Sequence, residues 1–317
     1  MDYSIEKANE KQIDFIADEY WKQAPKWQQN KYNYICFVAV DSEDKIIGYI
    51  ALEEKEIPIP PYGTDWFIVT IMVLKPYRCC GVGSALLNYA FTVAQEIGVR
   101  NFQGSANPTK EAHAFWMKNR FCFFQYGRQH NDPSKENEYG NYSHVIFRRV
   151  DEINIWSQNV QTMSRYKFNI ANQEQISNIF TTYIEKESVK FFHDKKDKIA
   201  GIIASDESGE NVGFITWLEM PLLPPLTGNQ WYIPYLYVEP AARKKGIAKE
   251  LIAELIKRAV QNNIRQLLII YPNEEIMQYW YELGFDIFVF RYLFSGNNGK
   301  FSIGMGKNIT CYSSPKI

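Results

Sequence analysis

The chain is 317 residues long, more than a single hydrophobic core usually serves, so two domains of ordinary size are expected. A hydrophobic content of 46% and a charged content of 22% suit packed cores, and no apolar run approaches the roughly 20 residues that span a bilayer. The net charge of −1 is spread evenly, with 17 basic and 18 acidic side chains in residues 1–150, which leaves no basic face for a nucleic acid.

The opening MDYSIEKANEKQ has neither a basic nor an apolar leader region, so a cytoplasmic address and no membrane partner are expected. Five cysteines (Cys36, Cys79, Cys80, Cys122 and Cys311) are odd in number and lack paired spacing. They read as reduced thiols rather than as a disulfide framework or a metal site.

Tyr3 to Ala8 read as a first strand, and Asn9 caps a helical pattern carrying Ile13, Ile16 and Tyr20. Ile35–Val40, the turn DSEDK and Ile46–Leu52 form a hairpin, followed by the proline-rich loop EIPIPPYGTD. A central strand starts at Trp66 and runs into Arg-x-x-Gly-x-Gly. After it come an amphipathic helix Ser84–Ile97, a buried-type strand Val99–Gly104, a helix near Glu111–Asn119, and strands Cys122–Tyr126 and His144–Val150. Asp151–Thr162 has no Gly or Pro and reads as a helical linker.

The same series then repeats. Trp231 to Ala248 follows Trp66 to Gly83 at a constant shift of 165 positions, and Gly213 and Glu219 follow Gly48 and Glu54 at that same shift. Asn172 and Ile176 stand 163 positions after Asn9 and Ile13, so an indel separates the two stretches. A second hairpin (Ile199–Ala204, DESGE, Val212–Leu218), a loop MPLLPPLTGN, a helix Leu251–Val260, a strand Gln266–Tyr271, a helix Glu275–Leu283 and strands Ile287–Leu293 and Phe301–Lys307 complete it. The expected domains are therefore 1–150 and 163–317, joined by a linker at 151–162.

The repeated turn is where chemistry is expected. The first amides of a helix point outward and carry partial positive charge, so Cys79, Cys80, Gly81, Val82, Gly83 and Ser84 can hold a pyrophosphate, with Arg78 closing one side. Gly81 and Gly83 lack Cβ atoms and allow close approach to the main chain. Arg243, Lys244, Lys245, Gly246, Ile247, Ala248 and Lys249 are the matching set. One such turn is a weak signal; two, each between an apolar strand and an amphipathic helix, make an anion site the better reading.

These residues, with the later PNEEIMQYWYELGF, resemble the GNAT superfamily of N-acetyltransferases, as a tandem pair covering nearly the whole chain. The resemblance implies an α/β class with two tandem domains, each a mixed, mostly antiparallel sheet flanked by helices and with a splayed fourth and fifth strand. It also implies acetyl-CoA as acyl donor and no metal, with the pantetheine arm along Ile71, Met72 and Val73, or Leu236, Tyr237 and Val238. The family's asparagine is matched by Asn273 and less closely by Asn107. Its helix-ending glycine is Gly284 in the second half but Arg120 in the first. Where the family carries an acidic tyrosine this chain has Trp116 and Trp280, and where it carries a basic glutamate this chain has Val69 and Pro234.

Acetyl transfer to an amine needs a base to remove the ammonium proton. Asp65, Glu54 and Glu219 are the carboxylates expected near the cleft, each with an alternative reading as a strand-end charge. His113 lies on a helix and reads as a surface or packing residue rather than an acid. Cys79 and Cys80 read as contributors of backbone amides rather than as nucleophiles, although a helix N-terminus lowers a thiol's pKa. Gly83, an uninterrupted central strand and the polar loop HNDPSKENEYGNY favour the first half for chemistry, with both halves able to hold CoA.

The expected function is acetyl-CoA-dependent N-acetylation of a primary amine on a small molecule or peptide. The tandem arrangement is similar to that of self-resistance enzymes that acetylate zwittermicin- or paenilamicin-like antibiotics. The alternatives are a metabolic amine or amino-acid acetyltransferase and a non-catalytic acyl-CoA sensor.

Overall fold

In the computed structural model, residues 2–57, 62–107, 109–127, 142–150, 165–184, 196–222, 226–270, 274–290 and 302–308 are described. Strands β1 (Tyr3–Lys7), β2 (Ile35–Asp41), β3 (Ile46–Ile57), β4 (Gly63–Val73), β5 (Asn101–Ala106), β6 (Cys122–Gly127) and β7 (Tyr142–Arg149) form one sheet in the order β1-β2-β3-β4-β5-β7-β6. Strands β8 (Lys167–Ile170), β9 (Ile199–Ser205), β10 (Asn211–Pro221), β11 (Asn229–Val238), β12 (Gln266–Ile270), β13 (Asp286–Phe290) and β14 (Ser302–Asn308) form a second sheet in the order β8-β9-β10-β11-β12-β14-β13. The two sheets have one topology, as the duplication requires. The chain divides into two compact units, one holding β1–β7 and the other β8–β14. The stretch 151–162 read as a linker, residues 130–141 of the polar loop, Cys311 and Asn273 lie outside the described residues.

Local chemistry explains the elements. Helix Glu10–Tyr20 opens on a reciprocal cap, in which the Asn9 side chain accepts from the Gln12 amide at 3.0 Å and the Gln12 side chain accepts from the Asn9 amide at 2.9 Å. Asn172 and Gln175 repeat the device at the head of helix Gln173–Ile179. Helix Val82–Glu96 buries Val82, Leu86, Leu87, Ala90 and Ala94, one stripe at helical spacing. On its side of the first sheet Phe37 meets Tyr89 and Phe102 stacks on Phe91, while Val38, Tyr49 and Ala51 turn to the opposite face, where Ile16, Ala17 and Trp21 cover them. Each fully buried large apolar side chain contributes about 1.5–3 kcal/mol.

Two findings differ from the sequence reading. β3 continues to Ile57 rather than ending at Leu52, because Glu53 to Ile57 stay paired with Gly63 to Phe67; the loop begins later than the charged run suggested. Arg120 adopts φ +62°, and Gly284 adopts φ +79°, so both halves end the helix in the left-handed conformation despite the missing glycine.

β4 is 11 residues long, yet its parallel pairing with β5 covers only Asp65 to Ile68. β11 pairs with β12 only from Gln230 to Tyr232. Beyond those points each central strand parts from its parallel neighbour, which opens a slot along residues 69–73 and 233–238. A bulge accompanies the parting: Ala51 pairs with Thr70 and Leu52 with Ile68, leaving Val69 over, and the register of β10 on β11 shifts between Thr216 and Leu218 in the same way. Pro234, which has no amide hydrogen, falls in that second bulge, where no ladder bond is asked of it.

Candidate active site

The two turns have one backbone. Gly81 and Gly246 adopt φ +86° and +85°, and two residues earlier Cys79 and Lys244 adopt +61° and +62°. The left-handed conformation is what Gly81 and Gly246 are needed for, since a side chain there would be strained. Nothing lies within 4 Å of a Cβ built on Gly81, so the strain of the left-handed backbone rather than any crowding is what calls for glycine there. Gly83 serves a different purpose: its missing Cβ would sit 3.0 Å from the Phe115 ring, so glycine lets helix Lys110–Lys118 close against the turn. Both long helices, Val82–Glu96 and Ile247–Gln261, start without a side-chain cap, which leaves their first amides for an external acceptor.

Arginine pins each turn to its strand. Arg78 Nε donates to the Val73 carbonyl at 3.0 Å and Arg243 Nε donates to the Val238 carbonyl at 3.0 Å. On the far side of the strand, Gly48 and Gly213 have no Cβ because one would stand 2.9 Å from the Met72 carbonyl oxygen and 2.8 Å from that of Tyr237. The duplicated glycine thus keeps the end of the central strand close to its antiparallel neighbour while its other edge is free.

In the first unit the slot and the turn share a cavity of about 350 Å³. Ile71, Met72, Val73, Arg78, Cys79, Gly81, Val82, Gly83 and Ser84 line it, joined by Tyr77, Glu111, Phe115 and Lys118, which sequence reasoning missed. Cys80 is exposed on the turn but off the cavity wall, its thiol facing the Arg78 carbonyl at 3.4 Å. Asn107 is exposed, and its carbonyl accepts from the Thr109 amide at 2.8 Å. In the second unit Leu236, Tyr237 and Val238 are half-buried on the free stretch of β11, Ile247 is buried, Ala248 is half-buried, and Arg243, Lys244, Lys245 and Lys249 are exposed. That side presents four cations where the first turn presents Arg78 alone.

The three candidate carboxylates all have protein partners. Asp65 is fully buried; Arg100 Nε donates to one of its oxygens at 2.9 Å and Arg100 Nη2 to the other at 3.2 Å, and Gln103 donates a further bond. Burial pushes the Asp65 carboxyl up, against the pull of Arg100. Glu54 accepts from the Trp66 indole at 3.2 Å, and Glu219 accepts from the Trp231 indole at 2.9 Å and from Asn229 at 2.6 Å. Each glutamate thus satisfies a buried tryptophan across its hairpin, which accounts for the repeat of both residues at one shift. None of the three lines the cavity of the first unit.

His113 is buried, stacks on Phe123 with ring centroids 5.2 Å apart and has Nδ1 2.7 Å from the Thr109 carbonyl; burial pushes its pKa down. Trp116 and Trp280 are core residues, edge-on to Phe121 at 4.8 Å and to Phe285 at 4.9 Å. Among the described residues no cluster of His, Cys, Asp and Glu is placed to hold a metal ion, and no helix is long and apolar enough to cross a membrane.

A parted central strand ended by an uncapped helix on an Arg-x-x-Gly turn, built twice and bordered by a cavity in the first unit, agrees with what a family comparison finds. The family model described as acetyltransferase (GNAT) family matches residues 5–121 and again residues 167–285. The chain belongs to that family, with one family domain in each half, and is by that membership an acetyl-CoA-dependent N-acetyltransferase. Among solved structures it is similar to a GNAT-family acetyltransferase of Staphylococcus aureus Mu50, at 16% identity over 47% of this chain and 100% of that one, with a TM-score of 0.35. It is likewise similar to Arabidopsis thaliana NAA60 in complex with acetyl-CoA, at 15% identity over 47% and 98% of the chains and a TM-score of 0.38. An aminoglycoside 6'-N-acetyltransferase complexed with coenzyme A matches at 17% identity over 45% and 97%, with a TM-score of 0.34. No curated protein matches the sequence.

Proposed function

We propose that the protein transfers the acetyl group of acetyl-CoA to a primary amine of a small molecule or peptide, and that the acceptor is an antibiotic, inactivated by acetylation. The pyrophosphate would rest on the amides of residues 79–84 or 244–249, where helix-end charge and arginine complement it. The pantetheine arm would run along the free edge of residues 71–73 or 236–238, replacing the strand partner that each lacks. The acetyl carbonyl is thereby held still while a deprotonated amine attacks its carbon, and positioning of this kind lowers the barrier without any covalent enzyme intermediate. The observation that carries the reading is the pair of uncapped helix starts, each on a left-handed glycine at the end of a strand that has left its parallel neighbour.

Incubation of the purified protein with acetyl-CoA and a panel of primary amines, including basic peptide antibiotics, tests it. Release of free CoA well above the amine-free rate, with an antibiotic preferred, is the expected result. Background release with every amine contradicts acetyl transfer, and release with simple amines but no antibiotic contradicts the choice of acceptor.

A further inference from the structure

The positions where the family carries its glutamate and tyrosine hold residues that cannot move a proton, and the candidate carboxylates are engaged elsewhere. In the second domain a hydroxyl–carboxylate pair stands at the end of the free stretch of β11. Tyr237 donates its phenolic hydrogen to Glu239 Oε2 at 3.1 Å. Tyr237 lies on the free stretch of β11 between Leu236 and Val238, and it packs with Tyr235 on the cluster of Ile176, Ile179 and Phe180. Leu236 and Val238 alternate to the other face. Tyr183, on the π-helical turn Phe180–Ile184, has its ring 4.8 Å from that of Tyr237, and burial together with the nearby Glu239 carboxylate pushes its phenol pKa up. Phe214 stacks on Tyr237 at 5.6 Å, and the Arg243 guanidinium stands 5.9 Å from the Tyr237 ring. Glu239, Tyr183 and Arg243 are thus the ionisable groups facing Tyr237.

The first domain is built on the same backbone and keeps Tyr20 at the position of Tyr183, while holding Met72 and Leu74 at those of Tyr237 and Glu239. The fold therefore does not require a hydroxyl or a carboxylate there. We propose that Tyr237 and Glu239 are the catalytic proton-handling pair of acetyl transfer in the second domain. This rests on the acetyl-transfer reading and names the acid and base it leaves open.

The Glu239 carboxylate takes a proton from the acceptor ammonium, and the freed amine attacks the thioester carbon. The C–S bond breaks, and its electron pair leaves on the CoA sulfur, which takes the Tyr237 phenolic proton. The phenolate recovers a proton from the Glu239 carboxyl through their hydrogen bond, and the new amide nitrogen sheds its extra proton to water. Both enzyme groups return to their starting states, with one proton released per turnover. Burial and the bond to Glu239 hold the Tyr237 phenol above its ordinary pKa, so it stays protonated and able to act as the acid near neutral pH.

Tyr237→Phe keeps the ring and its packing, and Glu239→Gln keeps the shape of the acceptor. Each is made in the full chain and assayed with acetyl-CoA and the amine that the wild type uses best. The expected result is a fall in kcat of about 100-fold or more for Tyr237→Phe with KM for acetyl-CoA within about twofold, and for Glu239→Gln a similar fall at about pH 7 that narrows as rising pH removes the amine's own proton. A Tyr237→Phe or a Glu239→Gln enzyme within about twofold of wild type in kcat at about pH 7 overturns the proposal while leaving acetyl transfer intact. A wild type that acetylates no amine overturns acetyl transfer itself, and this pair with it.

Discussion

The turns at 78–84 and 243–249 match in every backbone feature and differ in charge. Both have a left-handed glycine, a left-handed residue two positions before it and an arginine bonded back to the strand-end carbonyl. Yet the first reads Arg-Cys-Cys-Gly-Val-Gly-Ser and the second Arg-Lys-Lys-Gly-Ile-Ala-Lys. The shape of the cradle is therefore fixed by glycine and by the arginine bond, and its charge varies on top of that shape. A polyanion such as CoA should find both cradles by their amides and prefer the second by its lysines.

The foot of each central strand varies in the same manner. In the first domain Asp65 on β4 and Arg100, just ahead of β5, form a buried ion pair; in the second Gln230 stands where Asp65 does and is neutral, and Gln266, at the position of Asn101, donates to it at 2.7 Å. Both hold the parallel strands together just before they part. Removing one member of a buried ion pair strands a charge and costs about 3–5 kcal/mol, whereas removing one member of a neutral buried pair costs about 1–3 kcal/mol. Asp65→Ala is accordingly expected to lower thermal stability far more than Gln230→Ala. Equal losses in a melting experiment would mean that the charge of the first foot adds nothing to its hold.

A smaller effect is expected from charge alone. Lys244 and Lys245 are exposed, so their removal should weaken CoA binding only a few-fold, and raising the salt concentration to about 0.5 M should erase most of that difference. A Lys244→Ala/Lys245→Ala protein that loses CoA entirely, at any salt, would show that side-chain charge rather than the amide cradle does the holding.

Much of this was open to sequence reasoning because the duplication acts as an internal control. A shift of 165 positions marked the turns, the strand-end glycines and the two glutamates, and the Asn9 cap was readable from spacing alone. The role of Glu54 and Glu219 was not read, although its signal was present: Trp66 and Trp231 recur at that same shift, and the indole is what the carboxylate serves. The partner of Asp65 lies 35 residues away on a neighbouring strand, and no local pattern announces it. The extension of β3 through Glu53 to Ile57 was hidden because charged residues on a paired but solvated ribbon look like a loop. The contact of Phe115 with Gly83 depends on how one helix closes on another element, which is settled only by tertiary packing.

The most direct test of the paired cradles is calorimetric titration of CoA into the wild type, Gly81→Val, Gly246→Val and the double variant. A β-branched residue at positive φ is strained and displaces the amides, so each single variant should lose binding at its own turn, by about tenfold or more, and the double variant should bind neither equivalent measurably. A double variant that still binds CoA with wild-type affinity would contradict the account at its centre.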